Sequence, residues 1–283
     1  MSLRSFYVRR ILRIWPLYFC ALGIDVVWSL VEGRVHMPAS YVLAYLFLVG
    51  NWMTVVHGPP ASPMLVLWSV AVEEQFYIVW PVAVRSLTRR GIATIALGLL
   101  AVASATRWWL ASGTTVNPHA IGTNTLARLD PFAAGMLLAV VLRGRMPNLT
   151  GWQRLRLLLG GSALWLLVSY NSSLTLHFYL LGYPGIAVGA VALFLAIAGS
   201  KFFPRPFPYL GKISYGLYIF HLAVLTVLVR YWGRHLYSIR GFVAYALTGF
   251  ALTLLVAGIS YRWLETPFLK LKARFALVAS RPV

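Results

Sequence analysis

Two carboxylates stand side by side in an otherwise apolar run, LWSVAVEEQFYIVWP (Leu67 to Pro81), and Glu73 and Glu74 are two of only six acidic residues among 283. A carboxylate at the centre of a membrane helix costs on the order of 3 kcal/mol on insertion scales. Residues of this kind line a polar cavity where they bind substrate or assist proton transfer, or they form a structural ion pair with a cation of another segment. The arginines at positions 9, 10 and 13 are cations at hand for such a pair. On a helix, Ser69, Glu73, Tyr77 and Trp80 share one face, and Glu74 points about 100° away with Val70, Ala71, Ile78 and Pro81. One carboxylate can then line a cavity while its neighbour pairs with a cation.

Two further segments carry polar side chains inside apolar runs. ARLDPFAAGMLLAVVL (Ala127 to Leu142) opens with Arg128 and Asp130. Asp130 followed by Pro131 reads as an N-cap and first-turn pair, which leaves Arg128 unexplained. LGKISYGLYIFHLAV (Leu210 to Val224) sets Ser214, Tyr218 and His221 at i, i+4 and i+7, one stripe of a helix. A neutral histidine there bridges helices or acts as a base. Glu265, in YRWLETPFLKL, stands near Arg262 and Lys270, and a local salt bridge accounts for it. His36, His57, His119, His177 and His235 fall in expected loops and read as solvated. No HExxH, paired CxxC, GxSxG or Gly-rich phosphate loop is present, which removes the common zinc, α/β-hydrolase and nucleotide readings. The lone Cys20 sits in an apolar run and indicates neither a disulfide nor a metal site. Asn171 opens a formal glycosylation tripeptide, NSS, a weak match.

The elements that must position these residues are membrane helices. Hydrophobic residues make up 60% of the chain, charged residues 11%, and the mean hydropathy is +0.75. Apolar stretches at 14–31, 40–57, 64–84, 91–111, 125–142, 156–170, 178–198, 211–231 and 241–263 approach the roughly 20 residues a span requires. In lipid, backbone groups must pair within the segment, so such stretches are helices; the alternating ten-residue segments of a barrel are absent. The net charge of +19 does not indicate nucleic acid, because the basic residues cluster between apolar runs.

Arg4, Arg9, Arg10 and Arg13 precede the first stretch; Arg85, Arg89 and Arg90 follow the third; Arg143, Arg145, Arg154 and Arg156 follow the fifth. Lys201, Arg205 and Lys212 follow the seventh, and Lys270, Lys272 and Arg274 the ninth. From Arg85 onward this alternates as the positive-inside rule requires, with Arg234 and Arg240 as the one basic outer loop. Three full spans before Arg85 would break the alternation. One of 40–57 and 64–84 is therefore expected not to cross, with HGPPASP (His57 to Pro63) as the tip of a re-entrant element. The reading is all-α: a single polytopic helical bundle of about eight spans in the inner or plasma membrane, both termini cytoplasmic.

FYVRRILRIWPLY (Phe6 to Tyr18), LWSVAVEEQFYIVWP, the RLD…G stretch (Arg128 to Gly135), LGKISYGLYIFH and ETPF (Glu265 to Phe268) occur in an order that resembles the acyltransferase-3 family, membrane O-acyltransferases that modify sugars. The resemblance covers nearly the whole chain. It implies transfer of an acyl group, expected to be acetyl, from acyl-CoA as co-substrate to a hydroxyl of a carbohydrate or glycolipid acceptor, with no bound cofactor and no metal. Typical family acceptors are lipopolysaccharide O-antigen, exopolysaccharide, peptidoglycan, Nod-type oligosaccharides and macrolide sugars. The resemblance makes Glu73, Glu74 and His221 the catalytic candidates. Arg10, Arg13, Trp68, Ser69, Tyr77, Arg128, Asp130, Ser214 and Tyr218 become the candidates for binding substrate or donor. Family members usually begin with two more helices, the first carrying an Arg and, about ten residues on, a His taken as the base. Met1 stands directly before the RRxxRIxP block, so the resemblance implies a chain short of that segment, with His221 as the one substitute base inside a span. The rival readings are a transporter of a lipid-linked sugar, for which an internal repeat is missing, and a non-catalytic relative.

Overall fold

The computed structural model describes residues 3–113, 116–170, 175–200, 204, 206–233, 236 and 238–274. Asn171, Lys201, Arg205, Arg234 and His235 of the sequence reading lie outside these. The described residues are nearly all helical and contain no strand. The helices are α1 (Leu3–Glu32), α2 (Ala39–Leu46), α3 (Gly50–His57), α4 (Leu67–Ser86), α5 (Arg89–Ala111), α6 (Pro118–Thr123), α7 (Asp130–Leu142), α8 (Gly151–Tyr170), α9 (Tyr183–Ile197), α10 (Pro206–Trp232), α11 (Ile239–Ser260) and α12 (Thr266–Arg274). A 3₁₀ turn, Pro63–Val66, leads into α4, and π-helical turns at Phe178–Gly182 and Tyr261–Glu265 precede α9 and α12.

Six segments among the described residues are long and apolar enough to cross a bilayer: 3–32, 63–86, 89–111, 178–197, 206–232 and 239–271. Of the other stretches expected to span, α7 has 13 residues and α8, whose first turns hold Arg154 and Arg156, has 20. Stretch 40–57 is two helices of eight residues, α2 and α3, each about 12 Å long and too short for a core of about 30 Å. Residues 58–62 of HGPPASP are non-helical, as the Gly and Pro content suggested, and a further break inside the stretch falls at Leu48, with φ of +60°. Leu48 is buried, and its carbonyl accepts from the Gln75 side-chain amide of α4 at 2.8 Å, so the interrupted backbone remains satisfied.

The chain divides into two compact units. The first comprises 1–50, 59–81 and 204–283; the second comprises 51–58 and 82–203. In the first unit, α1 and α10 run in the same direction: the Tyr215 hydroxyl donates to the Ile14 carbonyl at 3.1 Å, and Arg230 meets Glu32 further along. The α4 helix runs against α1, with the Tyr7 hydroxyl on the Ile78 carbonyl (2.7 Å) near one end and Ser62 on Asp25 (2.7 Å) near the other. Leu17, Tyr18, Ala21, Leu67, Ala71, Ile213 and Ile219 form its buried core.

In the second unit, α8 and α9 pack closely through glycines. A Cβ on Gly161 would lie 3.0 Å from the Gly189 carbonyl and 3.1 Å from the Ala192 Cβ. The Trp165 indole donates to the Ile186 carbonyl at 2.9 Å. Arg154 donates to the carbonyls of Ala196 (3.0 Å) and Ala198 (2.7 Å), satisfying the end of α9. A buried ion pair, Arg107 of α5 with Asp130 of α7, fixes a second contact. Asp130 therefore does not cap α7: its carboxylate is taken by Arg107, and the preceding Leu129 makes no side-chain cap bond. All six acidic residues of the chain lie in helices or in the π-helical turn; none is in a loop.

Candidate active site

The polar centre of the first unit is built on Arg10. The rotation of α1 against α4 lets one guanidinium reach both adjacent carboxylates: Nε donates to Glu74 Oε1 at 3.1 Å and Nη2 to Glu73 Oε2 at 3.0 Å. Its carbon lies 3.5 Å from the centroid of the Tyr77 ring, one turn beyond Glu73. The Trp15 indole donates to the other oxygen of Glu74 at 3.1 Å. Glu74 is buried and held on both oxygens, while the Glu73 side chain remains 50% exposed. The two carboxylates point about 100° apart, as their spacing requires, yet share one cation.

A turn before Glu73 on α4, the Ser69 hydroxyl bonds to the Val66 carbonyl at 3.2 Å and to the Tyr218 hydroxyl of α10. Tyr218 also reaches the Val66 carbonyl, at 3.2 Å. His221 Nδ1 lies 2.6 Å from the Tyr218 carbonyl. A carbonyl can only accept, so Nδ1 carries the proton, and in the neutral ring Nε2 keeps its lone pair. The rings of Tyr218 and His221 are 5.7 Å apart. Ser214 does not join them, because its hydroxyl bonds back to the Gly211 carbonyl at 3.0 Å. Trp68 is half-buried in the first turn of α4.

Arg13 is exposed and acts on the charge of Glu265, which is buried in the Tyr261–Glu265 turn. Glu265 forms no salt bridge with Arg262 or Lys270. Arg128 and Asp130 belong to the second unit. Arg107, fully buried, donates to Asp130 Oδ1 at 3.0 Å, to Oδ2, and to the Ala127 carbonyl at 2.7 Å, and Arg128 stacks over Tyr183 with its guanidinium carbon 4.9 Å from the ring centroid. Among the described residues no group of three His, Cys, Asp or Glu side chains could hold a metal ion.

This centre sits inside the blocks that carried the resemblance, and the profile of a family described as an acyltransferase domain, Acyl_transf_3, matches residues 1–262. The chain belongs to this acyltransferase family. Similar proteins include YrhL of Bacillus subtilis, 27% identical over 94% of this chain and 46% of that one. The O-acetyltransferase OatA of Staphylococcus aureus is 25% identical over 95% and 48%, and the peptidoglycan O-acetyltransferase OatA of Listeria monocytogenes 26% over 95% and 47%. The chain spans just under half the length of these relatives. No solved structure matches it.

Within this acyltransferase domain, Glu73, Glu74, Arg10 and Tyr77 form one cluster, and Ser69, Tyr218 and His221 a second beside it. Trp15, Arg107 and the inward turn of Glu265 were missed by the sequence reading. Trp15 lies in the RRxxRIxP block, but an indole in a membrane helix reads as packing or interface. Arg107 is flanked by Thr106 and Trp108 at the end of a span, where it reads as an outer-face charge.

Proposed function

We propose that the chain transfers an acyl group, acetyl being the expected one, from acyl-CoA to a carbohydrate hydroxyl in the cell membrane. The observation that carries the reading is the Arg10 bridge to Glu73 and Glu74 in a family whose name is acyl transfer. Eight spans are the expected count, with α2 and α3 as a re-entrant pair and both termini cytoplasmic. That places the Arg10 end of α1 on the cytoplasmic side, where the donor is found.

Arg10 and Arg13 attract the negative phosphates of the donor there. A sugar hydroxyl has a pKa far above 7, so its attack on a thioester needs a general base. Its oxygen bonds to the thioester carbon, the C–S bond breaks, and the base passes the hydroxyl proton to the departing thiolate. His221 is the one imidazole in a span-length helix among the described residues, and its Nε2 lone pair suits it to take that proton. The half-exposed Glu73 is placed to hold acceptor hydroxyls. Glu74, saturated by Arg10 and Trp15, keeps Arg10 in place.

The test is transfer of label from acetyl-CoA to a glycan in membranes holding the protein. Glu73→Gln is expected to reduce transfer by about 10²-fold or more while the protein still inserts. Full activity in that variant would remove Glu73 from the mechanism. Movement of unmodified glycan across the membrane without label transfer would make the protein a transporter.

A further inference from the structure

A second polar cluster closes the other end of α1. Glu32, its last residue, accepts from both terminal nitrogens of Arg230 on α10 and lies 3.0 Å from His36 Nε2. The Arg230 guanidinium carbon is 5.9 Å from the centroid of the Trp28 ring. Arg10 precedes Glu32 by 22 positions on one helix, about 33 Å, which matches a hydrocarbon core of about 30 Å. The two clusters therefore belong to opposite faces of the bilayer.

A cavity of about 270 Å³ opens at this second cluster, its polar and aromatic wall supplied by Trp28, Glu32, Arg34, His36, Thr226 and Arg230. His36, whose place in an expected loop implies solvation, has a side chain only 12% exposed. The Nδ1 atom of His36 is buried with no hydrogen-bond partner in the protein, where buried polar atoms are ordinarily paired. Glu32 Oε1 keeps a lone pair after its bond to Arg230. Two guanidinium groups face one carboxylate, and Arg34 has no carboxylate partner among the described residues. An indole, hydroxyl-accepting oxygen and nitrogen atoms and a surplus cation are the groups that hold an acidic sugar. A lipid phosphodiester is a poorer fit: Glu32 repels it as it repels any anion, and the phosphodiester has no hydroxyl donors to offer Glu32 and His36 in return. The volume is below the roughly 300–1,000 Å³ of drug-sized sites, so it suits one ring and not a chain.

We infer that this cavity holds one carboxylate-bearing sugar ring of the acceptor, its carboxylate on Arg34 and its hydroxyls on Glu32 and His36. The inference rests on the acyltransferase reading, which makes the sugar an acceptor. His221 precedes Arg230 by nine positions, about 14 Å on α10, so the ring held here is a neighbour of the ring acylated and the acceptor is an oligosaccharide or polymer.

The experiment is saturation-transfer NMR on the chain in nanodiscs with D-glucuronate, D-glucose and acetate as probes. Glucuronate is expected to bind about tenfold tighter than glucose or acetate, the equivalent of one charge-assisted hydrogen bond. Exposed Arg34 is replaceable without disturbing the fold; Arg34→Gln is expected to reduce glucuronate to the level of glucose. Absence of glucuronate binding, equal binding of acetate, or insensitivity to Arg34→Gln overturns the cavity assignment. None of those results touches the labelled-transfer assay. Glucuronate binding without any label transfer in the unaltered protein keeps a sugar site here and overturns its role as an acceptor subsite.

Discussion

With Arg10 bridging them, Glu73 and Glu74 are neighbours in sequence and opposites in environment. Glu74 is buried and bonded on both oxygens. Glu74→Gln leaves a partly buried guanidinium short of charge, and a loss on the order of 3 kcal/mol is expected, measured as a lower unfolding midpoint in detergent. The same substitution at half-exposed Glu73 is expected to leave the midpoint nearly unchanged while transfer collapses. Asp130 gives a sharper case of the same physics. Asp130→Asn strands Arg107 in the interior at about 3–5 kcal/mol, and replacing both residues with apolar ones of like volume is expected to restore much of it; proteolysis kinetics in membranes would show both steps. Rarity of acids made Glu73, Glu74 and Asp130 legible in the sequence. The arginines at 9, 10 and 13 were candidate partners for Glu73 and Glu74, but that Arg10 holds both, and that Arg107 holds Asp130, was not legible, because a pair across helices depends on the rotation of each helix about its axis. Asp130 misled further: an Asp before Pro reads as a helix start whether or not the carboxylate turns back to cap.

At the scale of elements, the length and apolarity of α1, α4, α5, α10 and α11 made them readable, since lipid permits only helices there. The charge count also showed correctly that 40–57 or 64–84 could not be an ordinary span. It could not show the break inside 40–57. HGPPASP carries breaking residues and is non-helical at 58–62, but a further break lies at Leu48, where a buried non-glycine residue adopts a left-handed conformation and a side chain two segments away satisfies its carbonyl. Gln75→Leu removes that donor and is expected to cost about 1–3 kcal/mol, read from hydrogen exchange in residues 45–50. The α8–α9 contact relies on the absence of side chains. Gly161→Val places atoms against the Gly189 carbonyl, and a separation of the two helices is expected in disulfide cross-linking between introduced cysteine pairs.

For the whole molecule, the family and the helical membrane architecture followed from five short blocks and the hydropathy pattern, whereas α7 and α8 show why a span count does not follow from composition alone. One is short and the other opens with arginines. The placement of the acidic residues has a wider consequence. All six lie in helices or in the π-helical turn, and 25 lysines and arginines leave an excess of +19. Six carboxylates cannot neutralise 25 lysines and arginines, most of which lie in the helices, many of them near helix ends. Electroneutrality then falls to the surroundings, and the nearest anions are phospholipid headgroups, each basic residue near such a surface gaining about 1 kcal/mol. Thermal stability is expected to rise from phosphatidylcholine to phosphatidylglycerol nanodiscs, and the difference to shrink in high salt; equal midpoints in both lipids would count against it. The bilayer is in this sense the protein's counterion as well as its solvent.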